Sequence, residues 1–179
     1  MQQKIVITGG PSTGKTTLIN SLEKQGFYCI AEASREITLE ARKTGISQLF
    51  LTDPLLFSTL LLEKRILQYN TAHKTDKQIV LFDRGIPDIA AYLNFFKQKH
   101  DLDFSKINTE NKYQKIFITP PWKVIHTTDN ERFESFEEAV EIHKELVSTY
   151  TTLGYTPIEI PFGTPEERAL FVAKQLSNS

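Results

Sequence analysis

The chain has 179 residues, 24% charged and 40% hydrophobic, with 21 Lys and Arg against 22 Asp and Glu and a formal net charge of −1. That length suits a single domain, residues 1–179, able to bury about two-thirds of its unfolded surface. The even charge balance argues against broad electrostatic binding of nucleic acid and leaves only a local basic groove open. Cys29 is the sole cysteine, so an intrachain disulfide is excluded and a lone buried thiol is expected. No apolar run reaches the length of a membrane span. The start of the chain runs straight into a strand pattern with no signal peptide. A soluble, cytoplasmic protein is expected.

In chain order, Lys4 to Thr8 reads as a short buried strand, and a helix pattern opens at Thr16. Gly26 stops that helix, and residues 27–31 form a second strand. A helix is expected from Glu32 to about Lys43. Asp53-Pro54 marks the next helix start, with Asp as cap and Pro in the first turn. The long apolar helix that follows, to about Tyr69, assigns Leu56, Leu60 and Leu67 to the core. Residues 77–82 give a third strand and Pro87 to Lys97 a helix. Residues 100–111 read as polar and irregular. Tyr113 to Ile118 is a fourth strand, closed by Thr119-Pro120-Pro121. Residues 122–135 are polar, charged and too long for a plain connector, which suits a lid. Ser135 with Glu138 is a capping signature for a helix ending near Gly154. Residues 157–161 form a fifth strand, and Thr164-Pro165 opens the last helix.

This alternation predicts an α/β three-layer sandwich, a parallel five-stranded sheet with helices on both faces and right-handed crossovers. Ligands of such sheets bind at the carboxyl ends of the strands. The loops at 9–16, 32–36, 83–88 and 119–135 all fall there.

The first of those loops, Gly9-Gly10-Pro11-Ser12-Thr13-Gly14-Lys15-Thr16, fits the phosphate-binding pattern G-x-x-x-x-G-K-[ST] in its required strand–loop–helix setting. Backbone N–H groups from Gly9 to Thr17 would cradle phosphates at the helix N-terminus. Lys15 would reach the β- and γ-phosphates, and Thr16 would offer a hydroxyl to Mg²⁺. A Gly-rich turn that merely joins strand to helix is the bland alternative.

Asp83 ends a strand where a metal-orienting aspartate belongs, although it could simply cap the next helix. Arg84 stands where ATP-hydrolysing motors place a water-polarising Glu, so it points instead to an anionic group of an acceptor, or to a plain ion pair. Glu32 could take or orient an acceptor hydroxyl proton, or serve only the helix dipole. Arg35 could join Arg84 on the acceptor side. Arg132 in the lid could close on the transferring phosphoryl group. Lys123 and Arg168 are weaker candidates, and Gly163-Thr164-Pro165 could edge a nucleotide base.

In combination, residues Ile7–Thr17, Glu32-Ala33-Ser34-Arg35-Glu36, Phe82-Asp83-Arg84-Gly85 with Asp88, Pro121-Trp122, Asn130-Glu131-Arg132, Ser135-Phe136, Ala139, His143, Tyr150 and Leu153-Gly154-Tyr155 are familiar. They resemble the small P-loop AAA-domain family that includes the ribosylnicotinamide kinase domain of NadR-type proteins. The resemblance implies an ATP-binding, kinase-like fold with a parallel five-stranded sheet and a lid.

The expected function is a small-molecule kinase using ATP and Mg²⁺ on a nucleoside- or nucleotide-like acceptor, with no nucleic acid and no membrane as partner. The alternative is a nucleotide-dependent switch acting on a protein partner. His73-Lys74-Thr75-Asp76 faintly matches a guanine-reading motif, but it precedes a strand and reads as a solvated turn. A ring-forming ATPase is disfavoured, because no second helical domain and no Glu after Asp83 are present.

Overall fold

A computed structural model describes residues 2–43, 45, 46, 48–127 and 134–177. Five strands form one sheet: β1 (Gln3–Gly9), β2 (Tyr28–Ile30), β3 (Ile79–Asp83), β4 (Lys115–Thr119) and β5 (Ile158–Glu159). Their order is β2-β3-β1-β4-β5 and every pairing is parallel. The strands read as near-continuous apolar runs because both faces are covered. Side chains alternate across the pleat. Val6, Val80, Phe82, Ile116 and Ile118 enter one core, while Ile5, Ile7, Leu81 and Phe117 enter the other.

The second face is closed by α1 (Lys15–Lys24) and α8 (Pro165–Ser177). Leu18 and Leu22, one turn apart, are fully buried there with Ala169, Val172 and Leu176; burying each leucine stabilises by roughly 2 kcal/mol. The first face carries α2 (Ala33–Lys43), α3 (Leu49–Thr52), α4 (Pro54–Thr71), α5 (Pro87–Phe95), α6 (Phe104–Glu110) and α7 (Phe136–Thr152). The expected caps form. Asp53 accepts from the Leu56 N–H at 3.0 Å, and Ser135 and Glu138 make the reciprocal capping box.

Three expectations need correction. Residues 104–110 are not irregular but form α6, capped by Asp103 accepting from the Lys106 N–H at 3.0 Å. Its polar sequence hides it, since only Phe104 and Asn108 turn inward. Leu56, Leu60 and Leu67 are exposed rather than core. An 18-residue helix can face the sheet with one stripe only, and Phe57, Leu61, Leu62 and Arg65 occupy that stripe. Cys29 is half-buried rather than fully enclosed; burial first, then Glu23 and Asp83, pushes its thiol up to about 12, so it stays an unreactive thiol.

Register positions the site. Ile7 lies opposite Asp83, and Gly9 lies opposite Thr119, so the carboxyl ends of β1, β3 and β4 open at one edge of the sheet. Among the described residues, no helix is long and apolar enough to cross a membrane.

Candidate active site

β1 delivers the chain to the loop at residues 9–16, and α1 leaves it at Lys15. Gly9 lies so close to β4 that a Cβ would fall on Thr119 Oγ1. Gly14 takes the left-handed conformation at φ +73 and forms the cap of α1. Side chains brace the loop from beneath. Thr13 Oγ1 donates to the Gly10 carbonyl at 3.0 Å and shares a 2.6 Å hydrogen bond with Thr119 Oγ1. Thr119 Oγ1 also lies 3.2 Å from the Thr8 carbonyl oxygen, within reach of the same hydroxyl proton. Thr17 Oγ1 bonds back to Gly14 at 2.8 Å, while Thr16 is exposed at the mouth.

Lys15 forms an ion pair with Asp83 at the tip of β3. Burial and the Arg84 cation lower the Lys15 pKa, opposed by Asp83 and Glu32. Beside this pair lies a second, larger charge cluster. Glu32 Oε1 accepts from Arg65 Nη2 at 2.8 Å, and Oε2 accepts from Arg84 Nε at 2.6 Å. Burial would raise the Glu32 carboxyl, but Arg65, Arg84 and Lys15 overcome it and hold the group at about 2. Glu32 is therefore a fixed anion with both oxygens occupied, suited to orienting a donor rather than to holding a proton.

Arg84 sits at φ +71, a left-handed conformation that costs a non-glycine residue on the order of 1 kcal/mol. Asp88, four residues on, holds it there. Asp88 Oδ1 accepts from Arg84 Nη1 at 3.1 Å and from Thr8 Oγ1 at 2.5 Å; Oδ2 accepts from the Gly85 N–H at 2.9 Å and from Tyr150 at 2.5 Å. Arg84 also lies over the Tyr92 ring at 5.4 Å. Sequence reasoning missed Arg65, and saw Thr8, Asp88 and Tyr150 only within the resemblance. Arg65 closes the charged trio Glu63-Lys64-Arg65, so nothing local in the sequence marks it as buried.

Lys15, Glu32, Asp83, Arg84 and Tyr92 line one cavity of about 790 Å³. Its lining includes residues 10–17, Glu32, Asp83 and Arg84, and an apolar set made of Leu39, Leu49, Phe50, Phe57 and Tyr92. Ser34, Arg35 and Thr38 also border it. Arg35 is exposed and has no ion pair among the described residues.

Of the expected lid, residues 122–127 and 134–135 are described. Ser12 Oγ donates to the Thr127 carbonyl at 2.6 Å, and His126 Nε2 lies 3.1 Å from the Glu134 carbonyl oxygen. The segment thus begins against the phosphate-loop motif itself. Lys123 is exposed, near Phe136. Arg132 lies outside the described residues. Gly163 and Pro165 border the cavity, while Thr164 and Glu167 exchange hydrogen bonds as a helix cap. His73-Lys74-Thr75-Asp76 spans the end of a 3-10 turn and the approach to β3, far from this edge in the strand direction.

A family model described as the AAA domain matches residues 4–168. The chain belongs to the AAA domain family. Among solved structures, this AAA domain is similar to the deoxyadenosine kinase from M. mycoides with bound dATP, at 15% identity and a TM-score of 0.68, over 99% of this chain and 100% of that one. It is also similar to the NadR protein in complex with NAD and AMP-PNP, at 19% identity and a TM-score of 0.73. That match covers 99% of this chain but 50% of the NadR chain, so the AAA domain spans half its length. Both likenesses are of fold: a P-loop sandwich on a parallel five-stranded sheet. No curated protein matches the sequence.

Proposed function

We propose that the protein is a small-molecule kinase that transfers the γ-phosphoryl group of ATP to a hydroxyl or phosphate of a nucleoside- or nucleotide-like acceptor. The observation that carries this reading is one cavity lined both by the phosphate-loop motif with Glu32 and Arg84 and by an apolar, aromatic set of residues, which we read as a second compartment for the acceptor. A switch working only through a protein partner has no use for that second compartment. The similar structures of a deoxyadenosine kinase and of NadR, one bound to dATP and one to AMP-PNP, support it at the level of fold.

In this reading, the backbone of residues 10–17 cradles the phosphates and Lys15 offsets their charge. Thr16 and Asp83 are oxygen donors of the kind Mg²⁺ takes, and two protein ligands suffice for an ion that keeps waters and phosphates in its shell. Mg²⁺ bound there would neutralise charge on the transferring group. Glu32 orients the acceptor hydroxyl, Arg84 and Arg35 hold the acceptor's polar end, and Phe50, Phe57 and Tyr92 pack against a flat ring. Arg132 is assigned the closing contact from sequence alone. Because the transition state of phosphoryl transfer is loose, positioning matters more than proton abstraction, which suits a Glu32 held at about 2. Arg84 after Asp83, in place of a carboxylate, leaves no obvious group to activate water. We further assign the protein to the cytoplasm.

The test is ATP consumption against a nucleoside and nucleotide library with an acceptor-free control. Slow hydrolysis alone and strong stimulation by one acceptor class are expected. Rapid acceptor-independent hydrolysis would refute the proposal.

A further inference from the structure

Among the described residues, Arg65 and Arg168 are buried and Arg84 is half-buried, and the charges of Arg65 and Arg84 are neutralised. Arg65 pairs with Glu32, and Arg84 pairs with Glu32 and Asp88. The third, Arg168, is one turn into α8 and only 2% exposed. Its Nη1 donates to the Thr13 carbonyl at 3.1 Å, while buried Nε and Nη2 have no hydrogen-bond partner among the described residues. No carboxylate pairs with it among the described residues. Burial alone accounts for the direction of its pKa, which is lowered.

Arg168 reaches the cavity on the side where α1 begins. A Cβ on Gly14 would stand 2.8 Å from Arg168 Nη1, 3.2 Å from Ile125 Cδ1 and 3.6 Å from Thr17 Oγ1. The Trp122 ring covers the guanidinium at 5.8 Å, and Trp122 packs on Phe162 at 5.0 Å. Arg168, Trp122, Gly14 and Thr17 all border the cavity. A buried guanidinium with donors to spare is costly unless an anion meets it. Its planar fork matches phosphate oxygens, and the helix N-terminus beside it favours the same charge.

We propose that Arg168 is a nucleotide-binding residue whose Nε and Nη2 donate to phosphate oxygens on the Thr17 side of the loop. This rests on the reading of residues 9–17 as the nucleotide site. Two effects of opposite sign follow. The guanidinium burdens the protein alone and strengthens its complex. A residue that only bolted α8 to Thr13 would stabilise both alike.

Arg168→Met keeps the length and packing under Trp122 but removes the charge; Arg168→Lys keeps the charge on a single ammonium. Calorimetric titration with ATP, Mg²⁺-tripolyphosphate and adenosine, alongside thermal melts without ligand, separates the possibilities. The Met variant is expected to lose at least tenfold affinity for both ATP and tripolyphosphate and to melt no lower than the unmodified protein. The Lys variant should recover part of that affinity. ATP and tripolyphosphate affinities within twofold of the unmodified protein would overturn the proposal. So would a loss with ATP and adenosine but none with tripolyphosphate, since Arg168 would then serve the base. An unmodified protein that binds neither ATP nor tripolyphosphate would instead refute the nucleotide site itself.

Discussion

Arg65 donates to Glu32 Oε1 at 2.8 Å across 33 residues of sequence, and both side chains are buried. The same guanidinium donates through Nη1 to the Gly85 carbonyl at 2.7 Å. One residue of α4 therefore fixes the end of β2 and the turn after β3 together. Removing one partner of such a pair leaves an uncompensated buried charge, which costs about 3–5 kcal/mol. Arg65→Ala should lower stability by that order in urea denaturation. A loss below about 1 kcal/mol, the worth of an exposed pair, would show that the contact is incidental.

The Glu32 cluster also makes a pH prediction. Its carboxyl is lowered from 4.5 to about 2 in the folded chain. The stability it contributes is therefore fully present above the unfolded value of 4.5 and disappears as pH falls toward 2. Thermal melts between neutral pH and pH 3 should fall more steeply for the unmodified protein than for Glu32→Gln. Parallel curves would mean that Glu32 is not held down by its arginines.

How much of this was open to reading from the chain depends on how local each feature is. The β1–loop–α1 unit declares itself because its glycines, lysine and flanking apolar runs are contiguous. The capping box at Ser135 and the cap at Asp53 are equally local. Arg65 was not legible, because its role depends on which stripe of α4 faces the sheet, and α4 is apolar nearly all round. The exposure of Leu56, Leu60 and Leu67 follows from the same ambiguity. Arg168 was visible as a candidate, but its free donors depend on α8 packing beside α1, an arrangement spanning 155 residues.

The Lys15–Asp83 pair joins the two groups assigned to phosphate and Mg²⁺. Lys15→Ala should abolish phosphoryl transfer while the chain remains folded by circular dichroism. The loss of one such charge contact is worth several kcal/mol in the transition state. Turnover at the unmodified rate would remove this loop from the mechanism.

Asp83→Asn keeps the shape of the side chain and removes its charge. If Asp83 helps hold Mg²⁺, this variant should need more Mg²⁺ for half-maximal activity. Superimposable Mg²⁺ titrations would reduce Asp83 to a partner of Lys15.

Arg84 offers the sharpest division between acceptor and nucleotide. Its Nε and Nη1 engage Glu32 and Asp88 at 2.6 and 3.1 Å, so two carboxylates from different elements set its direction. A lysine carries the same charge but lacks the fork that spans both. Arg84→Lys and Arg84→Ala should therefore both raise the acceptor KM, by about tenfold or more, for a charge-assisted contact worth about 1.5–3 kcal/mol. The KM for ATP should change little in either, because the proposed function puts Arg84 on the acceptor side. Arg84→Gly makes a useful third variant. It loses the same contacts but relieves the backbone at φ +71, so it should melt higher than Arg84→Ala while sharing its acceptor defect. An acceptor KM restored in the glycine variant would show that backbone strain, not the guanidinium, shapes the site. A rise confined to the ATP KM would move Arg84 to the nucleotide side.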